Sequence, residues 1–210
     1  MSLIKKEHFN DDVIFAVWEI EEGYDTLFKQ LRLDTQDKAT VEGFKNYQRK
    51  LEWLSVRALL NEVIGPRAKI VYGPERKPYL HDNSYNISIS HSNNITAILL
   101  SKKKRVGLDL EYQTEKVLRI ADKFLTDDEL AALDNTQRIH HLYLHWCGKE
   151  ALYKICDKHD INFVTNLHID PFIPQQEGQM FGRVANRYMN ERFTLNYFTL
   201  KNYAIVWCYK

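Results

Sequence analysis

LEWLSVRALL (residues 51–60) lies over LHWCGKEALY (residues 144–153) with Leu, Trp, Ala and Leu in register, and the overlay sets Arg57 against Glu150. Two related helices in one chain imply two related units, so this pairing decides the fold. The elements around each helix follow the same order. Ahead of the first stands VIFAVWEI (13–20), whose β-branched and aromatic residues predict a strand. A single helix is expected across TVEGFKNYQRKLEWLSVRALLNEVIG (40–65), stopped by Gly65-Pro66. A basic loop, YGPERKPYL (72–80), leads into a hairpin over NISISHSNNITAILLS (86–101), turning at Ser92, Asn93 and Asn94.

The second set opens, after the polar turn KKKR, with the strand VGLDLE (106–111). FLTDDELAAL (124–133) carries a capping box, Thr126 with Glu129 three positions on. The helix RIHHLYLHWCGKEALYKI (138–155) follows, and RFTLNYFTLKNYAIVWCYK (192–210) reads as a strand pair turning at Lys201-Asn202. The hairpins overlay too: ISHSNNITAILL (89–100) on FTLKNYAIVWCY (198–209), with Asn93 over Asn202 and His91 over Leu200. The expected fold is α+β, with two similar subdomains, 1–105 and 106–210, related by a pseudo-twofold axis and a ligand cleft between them. Chance similarity is the competing explanation of the overlay.

Composition excludes several classes. With 210 residues, 44% hydrophobic and 27% charged, the chain can build a real core. A net charge of +1 gives no bulk field for nucleic acid or membrane, so a charged ligand needs a local cluster. No apolar run is long enough to span a bilayer, and MSLIKKEHFNDD lacks a signal peptide's apolar core. Cys147, Cys156 and Cys208 show no metal-ligand spacing, which predicts a reducing cytoplasm and no zinc site.

The period of a strand puts Gly107, Asp109 and Glu111 on one face of VGLDLE, the two carboxylates about 7 Å apart. Such a pair is either a solvated edge or a cation site, and oxygen donors in this number suit Mg²⁺. Gly107 favours close approach by a ligand or another backbone. HWCGKEALYK (145–154) is apolar all round, which marks a buried helix, yet it carries Lys149, Glu150 and Lys154. Buried charges need partners. A metal shared with Asp109 and Glu111 would serve Glu150, and phosphates would serve Lys149 and Lys154. The alternative is a surface ion pair between Glu150 and Lys154. With His91, the set has the makings of a Mg²⁺–phosphate site.

VGLDLE followed by HWCGKEALYK resembles the two-part signature of the 4′-phosphopantetheinyl transferases, and RKPYL and NISISHS resemble further motifs of their surfactin-type (Sfp-like) branch. The resemblance implies a monomeric enzyme with two similar halves. Such an enzyme moves the phosphopantetheine arm of coenzyme A to a serine of an apo carrier protein, releasing adenosine 3′,5′-bisphosphate. It implies Asp109, Glu111 and Glu150 on Mg²⁺ (or Mn²⁺), with Glu150 taking the serine proton and Lys149 and Lys154 on phosphate oxygens. His91 with Ser90 would meet the 3′-phosphate, Lys77-Pro78 the adenine, and Arg49 and Arg57 the coenzyme A phosphates, unless these arginines are plain solvated helix charges. Arg76 stands where a glycine is common, and ICDKHDINF (155–163) lacks the usual glycine-rich continuation. EKVLRIADKFLTDDEL (115–130), with Val117, Leu118, Ile120, Phe124 and Leu125, is either a carrier-docking surface or core. A non-catalytic coenzyme A or nucleotide binder with a degenerate site is the rival reading. A metal-dependent phosphoanhydride hydrolase is a second.

Overall fold

The computed structural model describes residues 2–9, 12–73, 75–156 and 160–210. Its internal contacts divide the chain into two units, Met1–Lys104 and Arg105–Lys210. The division falls before Arg105 because the Arg105 and Lys210 backbones exchange hydrogen bonds of 2.8 and 3.0 Å, extending the second unit's ladder by one residue. Residues 157–159, within the continuation after the second long helix, lie outside the described residues, as does Pro74.

The first unit is a four-stranded antiparallel sheet backed by helices. Its strands are β1 (Leu3–Phe9), β2 (Val13–Glu19), β5 (Asn86–Ser92) and β6 (Ile95–Ser101), in the order β1-β2-β6-β5. Helices α1 (Tyr24–Gln30), α2 (Thr35–Gly43) and α3 (Tyr47–Ile64) come between β2 and a two-stranded ribbon, β3 (Ile70–Tyr72) and β4 (Pro78–Leu80). Leu54, Leu59 and Leu60 of α3 are buried with Ala16, Trp18, Ile98 and Leu100 of the sheet. The single helix expected over 40–65 is two helices. Phe44 leaves helical geometry (φ −70°, ψ 124°), and Asn46 restarts it, its side chain accepting the Arg49 N–H at 3.2 Å. An asparagine cap satisfies an amide that a continuous helix would have used internally.

The second unit holds β7 (Val106–Tyr112), two 3₁₀ turns (Glu115–Arg119 and Ala121–Lys123), α4 (Asp127–Ala131), α5 (Arg138–Ile155), β8 (Leu167–Ile169), β9 (Glu177–Ala185), β10 (Asn190–Leu200) and β11 (Tyr203–Tyr209). The sheet order is β7-β11-β10-β9-β8. Thr126 and Glu129 make both bonds of the capping box. Val117, Phe124 and Leu125 belong to the core with Leu142, Ala151 and Leu152 of α5, and only Leu118 of that segment's large apolar side chains is exposed.

Within each unit a strand, a long helix and a hairpin follow in that order, and the hairpin's second strand pairs with the strand ahead of the helix: β6 with β2, β11 with β7. Both hairpins close with two-residue turns, between Ser92 and Ile95 and between Leu200 and Tyr203. The left-handed position is Asn93 (φ 49°) in one and Lys201 (φ 53°) in the other. The turns therefore match Asn93 to Lys201, one residue off the sequence overlay, so Thr199 rather than Leu200 occupies the position of His91.

Candidate active site

β7 and α5 meet at a glycine. A β-carbon at Gly107 would stand 2.1 Å from the Ala151 carbonyl oxygen and 3.0 Å from the Ile155 β-carbon, so the helix backbone occupies the space of the missing side chain. That contact fixes the face of α5 turned toward Gly107, Asp109 and Glu111. At 3.6 residues per turn, Cys147, Lys154 and Ile155 lie within about 60° of Ala151 around the helix, and Glu150 about 100° away on its flank. The Lys154 ammonium donates to Asp109 Oδ1 at 2.7 Å and to the Leu108 carbonyl at 3.0 Å. Asp109 is buried, while Glu111 and Glu150 are half-buried. β7 is an edge of its sheet, yet its acidic face is covered by the helix and is not a solvated rim. Cys147 sits behind the carboxylates. Burial, then the charges of Asp109 and Glu111, push its thiol well above the ordinary range, so it stays protonated and inert. The sequence offered no signal for this residue beyond its place on the helix.

Lys149 faces elsewhere. It is fully buried, about 160° around α5 from Ala151. Its ammonium donates to the Phe124 carbonyl (2.6 Å), Glu129 Oε2 (2.7 Å) and the Phe163 carbonyl (3.1 Å). An ammonium has three donors, and all three are used. The phosphate expected for Lys149 is thus replaced by a clip within the unit. Glu129 joins that clip while Oε2 also accepts the Thr126 N–H (2.9 Å) and Oε1 the Ile169 N–H (2.9 Å).

In the first unit Arg49 and His91 come together around Glu52. Arg49 Nη1 reaches Glu52 Oε2 at 3.3 Å and also meets His91 Nε2, while His91 Nδ1 lies 3.3 Å from the same Glu52 oxygen. With an arginine donating to Nε2, the imidazole proton belongs on Nδ1, facing the carboxylate. Glu52 was not anticipated, although its position three residues after Arg49 is the spacing of a helical ion pair. Ser90 is buried, and as the strand neighbour of His91 it points to the opposite face. Arg57 is buried as well, its guanidinium carbon 3.1 Å from the Trp53 ring centroid, so it is not a solvated charge, and Arg49 is near enough for its charge to act on it. Lys77 and Pro78 are half-buried at the start of β4, and Arg76 before them holds φ at 60°, a backbone state that suits glycine.

Among the described residues no group of three His, Cys, Asp or Glu side chains is gathered closely enough to hold a metal ion as it stands. The donor chemistry nonetheless suits a hard divalent ion. Asp109, Glu111 and Glu150 offer only carboxylate oxygens, from one strand face and the helix beside it. A strand of paired acidic residues pressed by a glycine contact against a helix carrying Glu150 and Lys154 defines a class. Residues 105–208 match the sequence model of the 4′-phosphopantetheinyl transferase superfamily, and this segment belongs to that superfamily.

Curated relatives agree. The 4′-phosphopantetheinyl transferase AcpT of Escherichia coli O157:H7 is 30% identical over 112 residues, covering 50% of this chain and 57% of that protein. The protein of the same name from Salmonella typhi is 36% identical over 117 residues, covering 50% of this chain and 58% of its own. The matched stretch spans little more than half the length of these relatives. No helix of the described residues is long and apolar enough to cross a membrane.

Proposed function

We propose that the protein transfers the 4′-phosphopantetheine group of coenzyme A to a serine hydroxyl of an apo carrier protein, as a monomeric, cytoplasmic enzyme of the surfactin-type branch. The observation that carries this reading is the contact of α5 with β7, where Lys154 grips Asp109 at 2.7 Å on the face that also bears Glu111 and, at its flank, Glu150. Asp109, Glu111 and Glu150 would hold Mg²⁺ or Mn²⁺, which when bound neutralises charge on the pyrophosphate oxygens.

The chain's own residues supply the rest. Lys154, tied to the Leu108 carbonyl and Asp109, fixes the Asp109 carboxylate and places a positive charge beside the phosphate oxygens as the bridging bond breaks. Glu150, half-buried at the flank, is suited to accept the serine proton. Arg49, with the His91 ring seated against its guanidinium, is suited to the 3′-phosphate. The matching order of strand, helix and hairpin supports an origin of the two units by duplication.

The test is to incubate the protein with coenzyme A, Mg²⁺ and several apo carrier proteins and weigh the carriers. The reading expects one added phosphopantetheine group, lost with chelator, and rates at least about 100-fold lower in Asp109→Asn and Glu150→Gln. Folded protein that modifies none of the carriers overturns it. Coenzyme A binding that needs no divalent ion, without transfer, would instead favour a non-catalytic binder.

A further inference from the structure

α3 meets the β5–β6 hairpin along a polar stripe. The Gln48 side-chain amide donates to the Asn93 carbonyl in the hairpin turn, Glu52 faces His91, and the Ser55 hydroxyl meets that of Thr96. Steps of four and three residues put Gln48, Glu52 and Ser55 on one face of the helix. Thr96 is the cross-strand partner of His91, so Glu52 and Ser55 address one strand pair. Ser55 and Thr96 are buried. The Ser55 hydroxyl donates to the Glu52 carbonyl at 2.9 Å and accepts from Thr96 at 2.8 Å, which pins the helical turn that carries Glu52.

The Glu52 side chain is 14% exposed and that of Arg49 45%, so the carboxylate lies beneath the arginine. Its Oε2 stands 3.3 Å from both Arg49 Nη1 and His91 Nδ1. Glu52 and the His91 ring both meet Arg49 at Nη1. Among the described residues no hydrogen bond engages Arg49 Nε or Nη2, while the Phe44 ring supports the guanidinium, its centroid 5.7 Å from the guanidinium carbon. One corner of the fork is thus anchored, and the edge with two parallel N–H groups is left for an oxyanion. We propose that Glu52 is a positioning residue: by holding Arg49 Nη1 and the His91 Nδ1 proton, it presents the Nε–Nη2 edge of Arg49 to the 3′-phosphate of coenzyme A. The proposal rests on the transferase reading. Without Glu52 the ligand itself must order a long, half-exposed side chain, which costs affinity. The carboxylate also repels a phosphate, and an uncharged replacement separates the two effects.

Isothermal titration with coenzyme A and with 3′-dephospho-coenzyme A, without metal or carrier, tests it. The wild-type protein is expected to prefer coenzyme A. Glu52→Ala should weaken coenzyme A binding about fivefold and leave 3′-dephospho-coenzyme A binding unchanged. Glu52→Gln, which keeps an acceptor oxygen at the same reach, should restore most of the loss. A carboxylate that only supported the fold would weaken both ligands alike, and one that only repelled phosphate would tighten coenzyme A binding in both variants. Either result overturns the proposal. NMR of the imidazole nitrogens in the free protein reads the His91 tautomer without any ligand, and the proton is expected on Nδ1. A wild type with that proton on Nε2 overturns the proposal whatever it binds. A wild type that holds the Nδ1 proton but does not distinguish the two ligands refutes the coenzyme A reading of Arg49, and the proposal with it.

Discussion

Gly107→Ala probes the joint on which the candidate site depends. The added β-carbon would lie 2.1 Å from the Ala151 oxygen and 3.0 Å from both the Ala151 carbonyl carbon and the Ile155 β-carbon. A carbon and an oxygen need about 3.2 Å, so strand or helix must retreat by about 1 Å in a close-packed interior. β7 is laddered to β11 along its whole length, from Val106–Tyr209 to Tyr112–Tyr203, so the yielding element is α5. Overpacking of this kind costs about 1–3 kcal/mol. Replacing glycine by alanine without strain would stabilise by about 0.4–1 kcal/mol, so a net loss is attributable to the clash. For a chain of this length, that loss lowers the melting temperature by roughly 2–12 °C.

The same displacement would carry Lys154 away from Asp109 Oδ1 and the Leu108 carbonyl, now at 2.7 and 3.0 Å. Misplacing reacting groups by about 1 Å costs on the order of 100-fold in rate. Thermal melts followed by carrier modification at a temperature where the variant is folded separate the two effects. A variant that melts within about 1 °C of the wild type and keeps its rate within about twofold would refute the joint.

Lys149→Met should cost about 3–5 kcal/mol by stranding the buried Glu129 carboxylate, read by denaturant titration, and adding Glu129→Gln should recover part of it. If the lysine is a clip, coenzyme A affinity of the folded variant stays at the wild-type value. His145 is held at about 3 instead of its ordinary 6.5, first by burial and then by the charges of His141 and Lys149. The folded state therefore keeps it neutral while the unfolded chain protonates below 6.5. Its contribution is whole above pH 6.5 and falls by about 1.4 kcal/mol per pH unit below it, toward pH 3. His145→Phe should flatten that slope between pH 7 and 5, and an unchanged slope would show another group at work. Arg76→Gly should raise stability by up to about 1 kcal/mol, because φ at 60° strains any residue with a β-carbon; a loss in chemical denaturation would contradict this.

Some of the elements legible in the sequence are those whose ends carry local chemistry. The Thr126–Glu129 box and the first hairpin turn are set by a cap and by Asn93, a residue type that tolerates positive φ, whereas α5 has no side-chain cap and the second turn puts its positive φ on Lys201. β1 was hidden because LIKKEHF alternates half-buried and exposed positions, with Lys5, Lys6 and Glu7 at its centre and its large apolar residues only toward the ends. The break between α2 and α3 was hidden because Phe44 and Asn46 sit inside an otherwise helical pattern, and only the Asn46 cap separates the two helices. β8 is only three residues long, and β9 beside it exposes Glu177, Gln179 and Arg183 along one face, which weakens the strand signal.

The two lysines of α5 show why residue type and spacing sorted the site only in part. Lys149 and Lys154 share a helix and a charge, and the surrounding apolar residues give no polar face from which to choose between them. The distinction is one of phase. Once Ala151 is set against Gly107, the rotation of about 100° per residue turns Lys154 toward Asp109 and Lys149 toward Glu129. A strand glycine and a helix alanine are the residues at which two backbones can come this close, and both were visible in the sequence. What the sequence did not supply was their pairing, a tertiary contact between residues 44 positions apart in the chain. The same phase leaves Glu150 at the border between the packed face and solvent. On the proposed reading that position would leave the Glu150 carboxylate open to an incoming hydroxyl, whereas one turned fully inward would be sealed as Glu129 is.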